Sequence, residues 1–335
     1  MKHEKIIELL LRIGDQVCDH VYRSLQTQKS EELSRVVEDA EEDTIYAIDR
    51  QVEDIILPIL EKEAADLGGI YLIAEGIGSE GKVIMPAGIS EDSASVRIIM
   101  DPIDGTRGIM YNKRSAFFLA AAAPNRPGEM YLQDLEVAVM TEIPTSKAYL
   151  SDALYAQRGK GAKGRQRNLL NGDIRPLYFR PSTSTTVIGG FAQIARFFPP
   201  GKEILAWIEE ELILSLAKIE PGKALVFEDQ YISSGGQLYE LLSGHDRFVA
   251  DLRTALYLQL EKTGVVTGLC CHPYDVCASL IGQEAGVIIT DIAGNTLNPP
   301  LGLTDPVDWI GYANENIRKE VEPILQKILK KINWI

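Results

Sequence analysis

The sequence predicts a mixed protein in two parts, an α+β first half and an α/β second half. Three observations carry that expectation. Two helical stripes open the chain, short β-branched runs follow them, and strand and helix patterns alternate beyond the prolines near residue 181. At 335 residues the chain suits two domains, since domains average about 150 residues. A composition of 45% hydrophobic and 24% charged residues is ordinarily globular and excludes disordered and collagen-like classes.

Ile6, Leu10, Ile13, Val17 and Val21 recur at three- and four-residue steps, which predicts a helix from about Lys5 to Leu25. Val52, Ile55, Ile56, Ile59 and Leu60 predict a second helix beginning near Asp49, with Pro58 a candidate kink. Ile70 to Ala74 and Val96 to Met100 read as strands, and each delivers an acidic residue at its end, Glu75 and Asp101. Ser115 to Ala123, Glu136 to Thr141 and Ala148 to Ser151 extend a mainly antiparallel sheet. Arg158 to Arg167 is basic and glycine-bearing, and Arg175 to Thr186 carries two prolines in a Ser/Thr cluster. The expected division therefore falls at Pro181, giving domains of residues 1–181 and 182–335.

Beyond it, strands are expected at Thr186 to Gly189, Val287 to Asp291 and Trp309 to Ala313. Helices are expected at Ile204 to Leu216, Gln237 to Leu242, Val276 to Ala285 and Ile317 to Ile332. Ser243 to Arg253 reads as a polar insertion, either a surface loop or a contributor to a pocket or subunit interface.

With 34 Lys and Arg against 48 Asp and Glu, the net charge of −14 repels a nucleic-acid backbone, so no nucleic-acid polymer is expected as partner. The longest apolar run, Ala116 to Ala123, is too short to span a bilayer. Glu4, Lys5 and Glu8 interrupt any secretory core, and a cytoplasmic location is the default expectation. Four cysteines, two of them the adjacent Cys270 and Cys271, read as reduced core thiols; with His272 and Cys277 they match no zinc spacing.

The informative stretch is Asp101-Pro102-Ile103-Asp104-Gly105-Thr106, at the end of an expected strand. Its two carboxylates can converge on one point, Pro102 restricts the backbone, and Gly105 permits a turn that a residue with a Cβ would resist. Two carboxylates about 4 Å apart repel by about 4 kcal/mol at an effective dielectric near 20. A positive charge must offset this. All-oxygen donors favour a hard divalent ion, and Mg²⁺ is the common one where phosphate is the other ligand. A lone Asp-x-x-Asp pair is ordinarily a solvated turn, but a specified six-residue string arises by chance in on the order of 10⁻⁵ of chains this long.

This string resembles a motif of the inositol monophosphatase superfamily of Mg²⁺-dependent phosphatases, which includes fructose-bisphosphatases and 3′(2′),5′-bisphosphate nucleotidases. Glu75 after a strand, the pair Tyr274-Asp275 before a helix, and Glu284-Ala285-Gly286 accompany it. The resemblance runs from Asp43–Asp49 to the strand before Asn314. It implies a two-domain layered αβαβα sandwich of the sugar-phosphatase type, a small phosphorylated alcohol as substrate, and a homodimer. Two or three Mg²⁺ ions are implied, with Mn²⁺ as the alternative. One ion would be held by Glu75, Asp101 and the main-chain oxygen of Ile103, and a second by Asp101, Asp104 and Asp275. Thr106 and Asp49 would orient and deprotonate the attacking water, and Glu75 serves the same chemistry. Gly105, Thr106, Arg107 and Asp275 would meet the substrate.

Departures bear on the substrate. The family's second acid is Gly76 here, with Glu80 the candidate replacement, and Tyr274 stands for a tryptophan. Gly268, seven residues before Asp275, stands where inositol phosphatases carry a glutamate that accepts substrate hydroxyls, which argues against inositol specificity. Arg107, with Lys113 and Arg114 close behind it, offers a place for a second anionic group on the substrate, although surface lysines and arginines are more often merely solvated. The alternatives are a fructose-1,6-bisphosphatase, a bisphosphate nucleotidase, and a non-catalytic regulatory homologue that binds metal or phosphate.

Overall fold

A computed structural model describes residues 1–39, 44–78 and 80–335; Asp43, the first residue of the family-like run, lies outside the described residues. The chain opens with α1 (His3–Thr27), the single turn α2 (Ser30–Leu33) and a ribbon of β1 (Val36–Asp39) and β2 (Thr44–Tyr46), which leads into α3 (Ala47–Leu67). A sheet follows from β3 (Ile70–Ala74), β4 (Lys82–Met85), β5 (Val96–Asp104), β6 (Ala116–Pro124), β7 (Val137–Ile143), β8 (Leu150–Gln157), β9 (Ala162–Asn168) and β10 (Ile174–Leu177), with the short helix α4 (Thr106–Met110) after β5. Its strand order is β10-β9-β8-β7-β6-β5-β3-β4, antiparallel except for the parallel pair β3 and β5.

The second half supplies β11 (Phe191–Ile194), α5 (Lys202–Leu216), α6 (Ser234–Leu242), β12 (Asp246–Asp251), α7 (Arg253–Glu261), α8 (Ser279–Ala285), β13 (Ile288–Thr290), β14 (Trp309–Tyr312) and α9 (Glu315–Lys331). Its four strands form a second sheet in the order β11-β12-β14-β13.

Period-two alternation along the strands sorts side chains into layers. Ile98 and Met100 of β5 face the α1 and α3 side, where Ile6, Leu10, Ile13, Val17 and Val21 are all fully buried. Ile99, between them, faces the other way and packs with Leu238 of α6 and Ile281 of α8. Val249 of β12 and Trp309 of β14 join that same middle cluster from the second sheet. Phe248, Ala250 and Tyr312 point to a third cluster with α5, α7 and α9. The result is a five-layer αβαβα stack, and α6 and α8 from the second half fill its middle. No helix among the described residues is long and apolar enough to cross a membrane.

One expectation needs correction, and two stretches left without an element resolve as strands. Thr186 to Gly189 forms no strand: Gly189 takes φ +76°, which breaks extension, and the strand begins at Phe191. The basic stretch after Arg158 contains β9, whose Arg165 and Arg167 pair with Asp15 (2.6 Å) and Asp19 (2.8 Å) on α1. Ser243 to Arg253 is no surface loop, because it contains β12, one of the two inner strands of the second sheet. Charged ends disguised both strands.

Gly14 explains how closely α1 approaches the sheet. A Cβ there would lie 2.5 Å from Thr141 Oγ1 and 2.9 Å from Phe118 Cδ1. Gly14→Ala gains about 1 kcal/mol of helix propensity but overpacks a closed contact at a cost of about 1–3 kcal/mol. The expected result is a net loss of about 1 kcal/mol in urea unfolding, against the gain that propensity alone predicts.

Candidate active site

On a regular strand, residues three apart point to opposite faces, so Asp101 and Asp104 could not meet. The pairing of β5 with β6 resolves this: Asp101 pairs with Leu119 and Asp104 with Phe117, so three steps on β5 match two on β6. The extra residue is a bulge, and Pro102, which lacks an N–H, sits within it. Asp101 Oδ1 accepts the N–H of Ile103 at 2.9 Å, which braces the loop. Gly105 then turns at φ +94°, and α4 begins at Thr106.

Asp104 is held from across the molecule by the start of α6. Its Oδ2 accepts the hydroxyl of Ser233 at 2.8 Å and the N–H of Gly235. A Cβ on Gly235 would lie 2.8 Å from that oxygen, so the close approach requires glycine. Asp275, just before α8, accepts the N–H of His272 at 2.6 Å. One carboxylate oxygen from each of Asp101, Asp104 and Asp275 lies within 4.8 Å of the others.

Burial raises the Asp101 carboxyl well above its usual range, and the neighbouring Asp104 and Asp275 charges push it further. Burial pushes Asp104 up to about 6, against the opposing pull of its Ser233 and Gly235 hydrogen bonds. These residues fit a hard divalent cation: the donors are all oxygen, and the charges acting most strongly on Asp101 are other carboxylates. Glu75, at the end of β3, lines the same cavity and stands outside the tight set of three.

Thr106 connects the loop to α3. Its hydroxyl donates to Asp49 Oδ1 at 3.0 Å and to Ile103 O at 2.7 Å. Asp49 is itself fixed, because its Oδ2 accepts the N–H of Tyr46 at 3.0 Å in a capping arrangement at the start of α3. All of these residues line one cavity of about 360 Å³, together with Gly105, Arg107 and Glu80. Every residue singled out from the sequence as a site candidate therefore reaches it.

Other sequence signals point elsewhere. Gly268 is absent from the cavity wall, and the space beside its Cα faces Pro199 O and Tyr257. Lys113 and Arg114 also lie off the wall; Arg114 pairs with Asp229 and lies 4.1 Å over the Tyr231 ring. Sequence reading missed Ser233, Phe197 and Phe198, all on the wall; Arg253, also there, ends the segment for which a pocket contribution was one alternative. The Ser-Ser-Gly-Gly run at 233–236 offered a signal, a serine cap followed by the smallest residues at a helix start.

No protein-family model matches the chain, and no curated protein matches it by sequence. Solved structures do match over nearly its whole length. The extragenic suppressor protein suhB from Bartonella henselae matches with a TM-score of 0.65 at 18% identity, covering 96% of this chain and 99% of that one. Fructose-1,6-bisphosphatase from Leishmania major gives 0.64 at 14% identity, covering 96% and 94%. An IMPase from Thermotoga maritima gives 0.59 at 17%, covering 96% and 98%. The chain has the fold these structures share.

Because folding raises these carboxyl pKa values, the folded state retains protons that the unfolded chain has released. Stability without a cation therefore falls as pH rises from the ordinary 3.8 toward about 6. At pH 7.5 in a chelator, Asp101→Asn is expected to stabilise the protein, by on the order of 1 kcal/mol in calorimetry. Added Mg²⁺ is expected to raise the melting temperature of the wild type and leave that of the variant unchanged. A wild type indifferent to Mg²⁺ and Mn²⁺ contradicts the cation assignment.

Proposed function

We propose that the chain is a Mg²⁺-dependent phosphomonoesterase that hydrolyses a small phosphorylated alcohol with an activated water. The observation that carries this reading is the convergence in one cavity of the Asp101, Asp104 and Asp275 oxygens with the Thr106–Asp49 hydrogen bond. Glu75, Asp101, the Ile103 carbonyl, Asp104 and Asp275 would hold the cations. Bound there, divalent cations supply Lewis acidity toward the phosphoryl oxygens and lower the pKa of water.

The protein's own groups do the positioning. Thr106 Oγ1, whose proton is committed to Asp49 and Ile103 O, is left to accept a hydrogen bond from the attacking water. Asp49 is the acceptor to which that proton relays. Backbone N–H groups at Gly105 and Thr106 receive the phosphate. No thiol or imidazole nucleophile is required. A non-catalytic homologue has no need to keep Thr106 and Asp49 hydrogen-bonded beside the acidic cluster, and this favours catalysis.

Asp101→Asn is expected to abolish Mg²⁺-dependent phosphate release while circular dichroism stays unchanged. Thr106→Ala is expected to lower kcat by about 10²–10⁴-fold with little change in KM, as loss of proton handling does. A screen across inositol phosphates, sugar bisphosphates and adenosine 3′,5′-bisphosphate checks the reading. Mg²⁺ binding without phosphate release from any ester would identify a binding homologue instead.

A further inference from the structure

The parallel strands β11 and β12 end together at the cavity, and the residues just beyond their ends set the character of its wall. β12 ends on Asp251, which is fully buried. Its carboxylate accepts Nε of Arg253 at 2.8 Å and Nη2 at 2.6 Å, while Nη1 donates to Leu269 O at 2.9 Å. The carboxylate is therefore consumed by the arginine, and Arg253 is the side chain of this pair that lines the cavity. A guanidinium has five N–H donors, and these contacts engage three.

The segment after β11 stacks on this cation. Arg253 Cζ lies 5.0 Å from the Phe197 ring centre and 5.7 Å from that of Phe198. Phe198 is shared: Arg107 Cζ lies 5.9 Å from the same ring and 5.7 Å from that of Tyr46. Two arginines thus flank one phenylalanine on the wall of a cavity whose floor carries the acidic triad. Neighbouring Leu269 and Leu303 have side chains that accept no hydroxyl hydrogen bonds.

We propose that this wall selects phosphate esters whose alcohol carries a second anionic group, seated against Arg253 beside Phe197 and Phe198, over esters of neutral polyols; this rests on the phosphomonoesterase reading above. A planar anion such as carboxylate, or a phosphate, matches the two Arg253 N–H donors that these contacts leave over, and its charge gains from a guanidinium in a way a neutral hydroxyl does not.

Glycerol 2-phosphate and 2-phosphoglycerate test this directly, since they differ by a hydroxymethyl against a carboxylate; fructose 1-phosphate and fructose 1,6-bisphosphate form a second pair. With Mg²⁺ present, the wild type is expected to show a KM at least about tenfold lower for the charged member of each pair. Arg253→Gln alone strands a buried carboxylate and risks misfolding, so Asp251→Asn/Arg253→Gln is the informative variant, because it keeps a hydrogen-bonded neutral pair. It is expected to bring the KM ratio close to one, and Arg253→Lys to retain part of it. A wild-type ratio near one, or an undiminished ratio in the double variant, overturns the proposal. For any ester that is not hydrolysed, the same ratio is read as Kd by calorimetry on the wild type. Absent turnover then counts against the phosphatase reading, while the ratio still decides the role of Arg253.

Discussion

Mutual repulsion among buried carboxylates is the constraint on which the rest of the site depends. Asp101 and Asp104 are almost wholly withdrawn from water, and both have oxygens within 4.8 Å of Asp275. Left alone, such a cluster is destabilising, because each ionised group is desolvated beside like charges. A fold keeps it only if something else holds the groups together. Here that is hydrogen bonding from backbone N–H groups at Ile103, Gly235 and His272, each fixed by its own local structure.

The layers make this possible. Asp104 comes from the first sheet, but its Oδ2 is satisfied at the start of α6, in the middle layer contributed by the second half. Asp275 enters from that half as well. The site is therefore a product of how the two sheets clasp α6 and α8, and it could not be assembled from either sheet alone. The bulge at Pro102 is the complementary device: it trades one ladder position for two carboxylates on the same side.

Much of this was legible in the sequence where periodicity or a rare string spoke clearly. The stripes of α1 and α3 and the strand end at Glu75 are set by local pattern and stand where expected, whereas Asp101 to Asp104, read as a loop beyond the strand, continue β5 through its bulge. What stayed hidden depends on pairing across distance. β9 read only as a basic stretch and β12 only as a polar insertion, because Arg165, Arg167, Asp251 and Arg253 look like surface charges until their partners are known.

Charge also accounts for the contrast between the floor of the cavity and its wall. A chain of net charge −14 repels any phosphate ester, and the acidic triad sharpens that repulsion at the point where the phosphate must arrive. The local field has to be reversed. Cations on the triad would reverse it at the floor, and Arg107 and Arg253 oppose it on the wall. Arg253 can do so from a buried position because Asp251 offsets the cost of desolvating it, while Phe197 and Phe198 keep its plane in place.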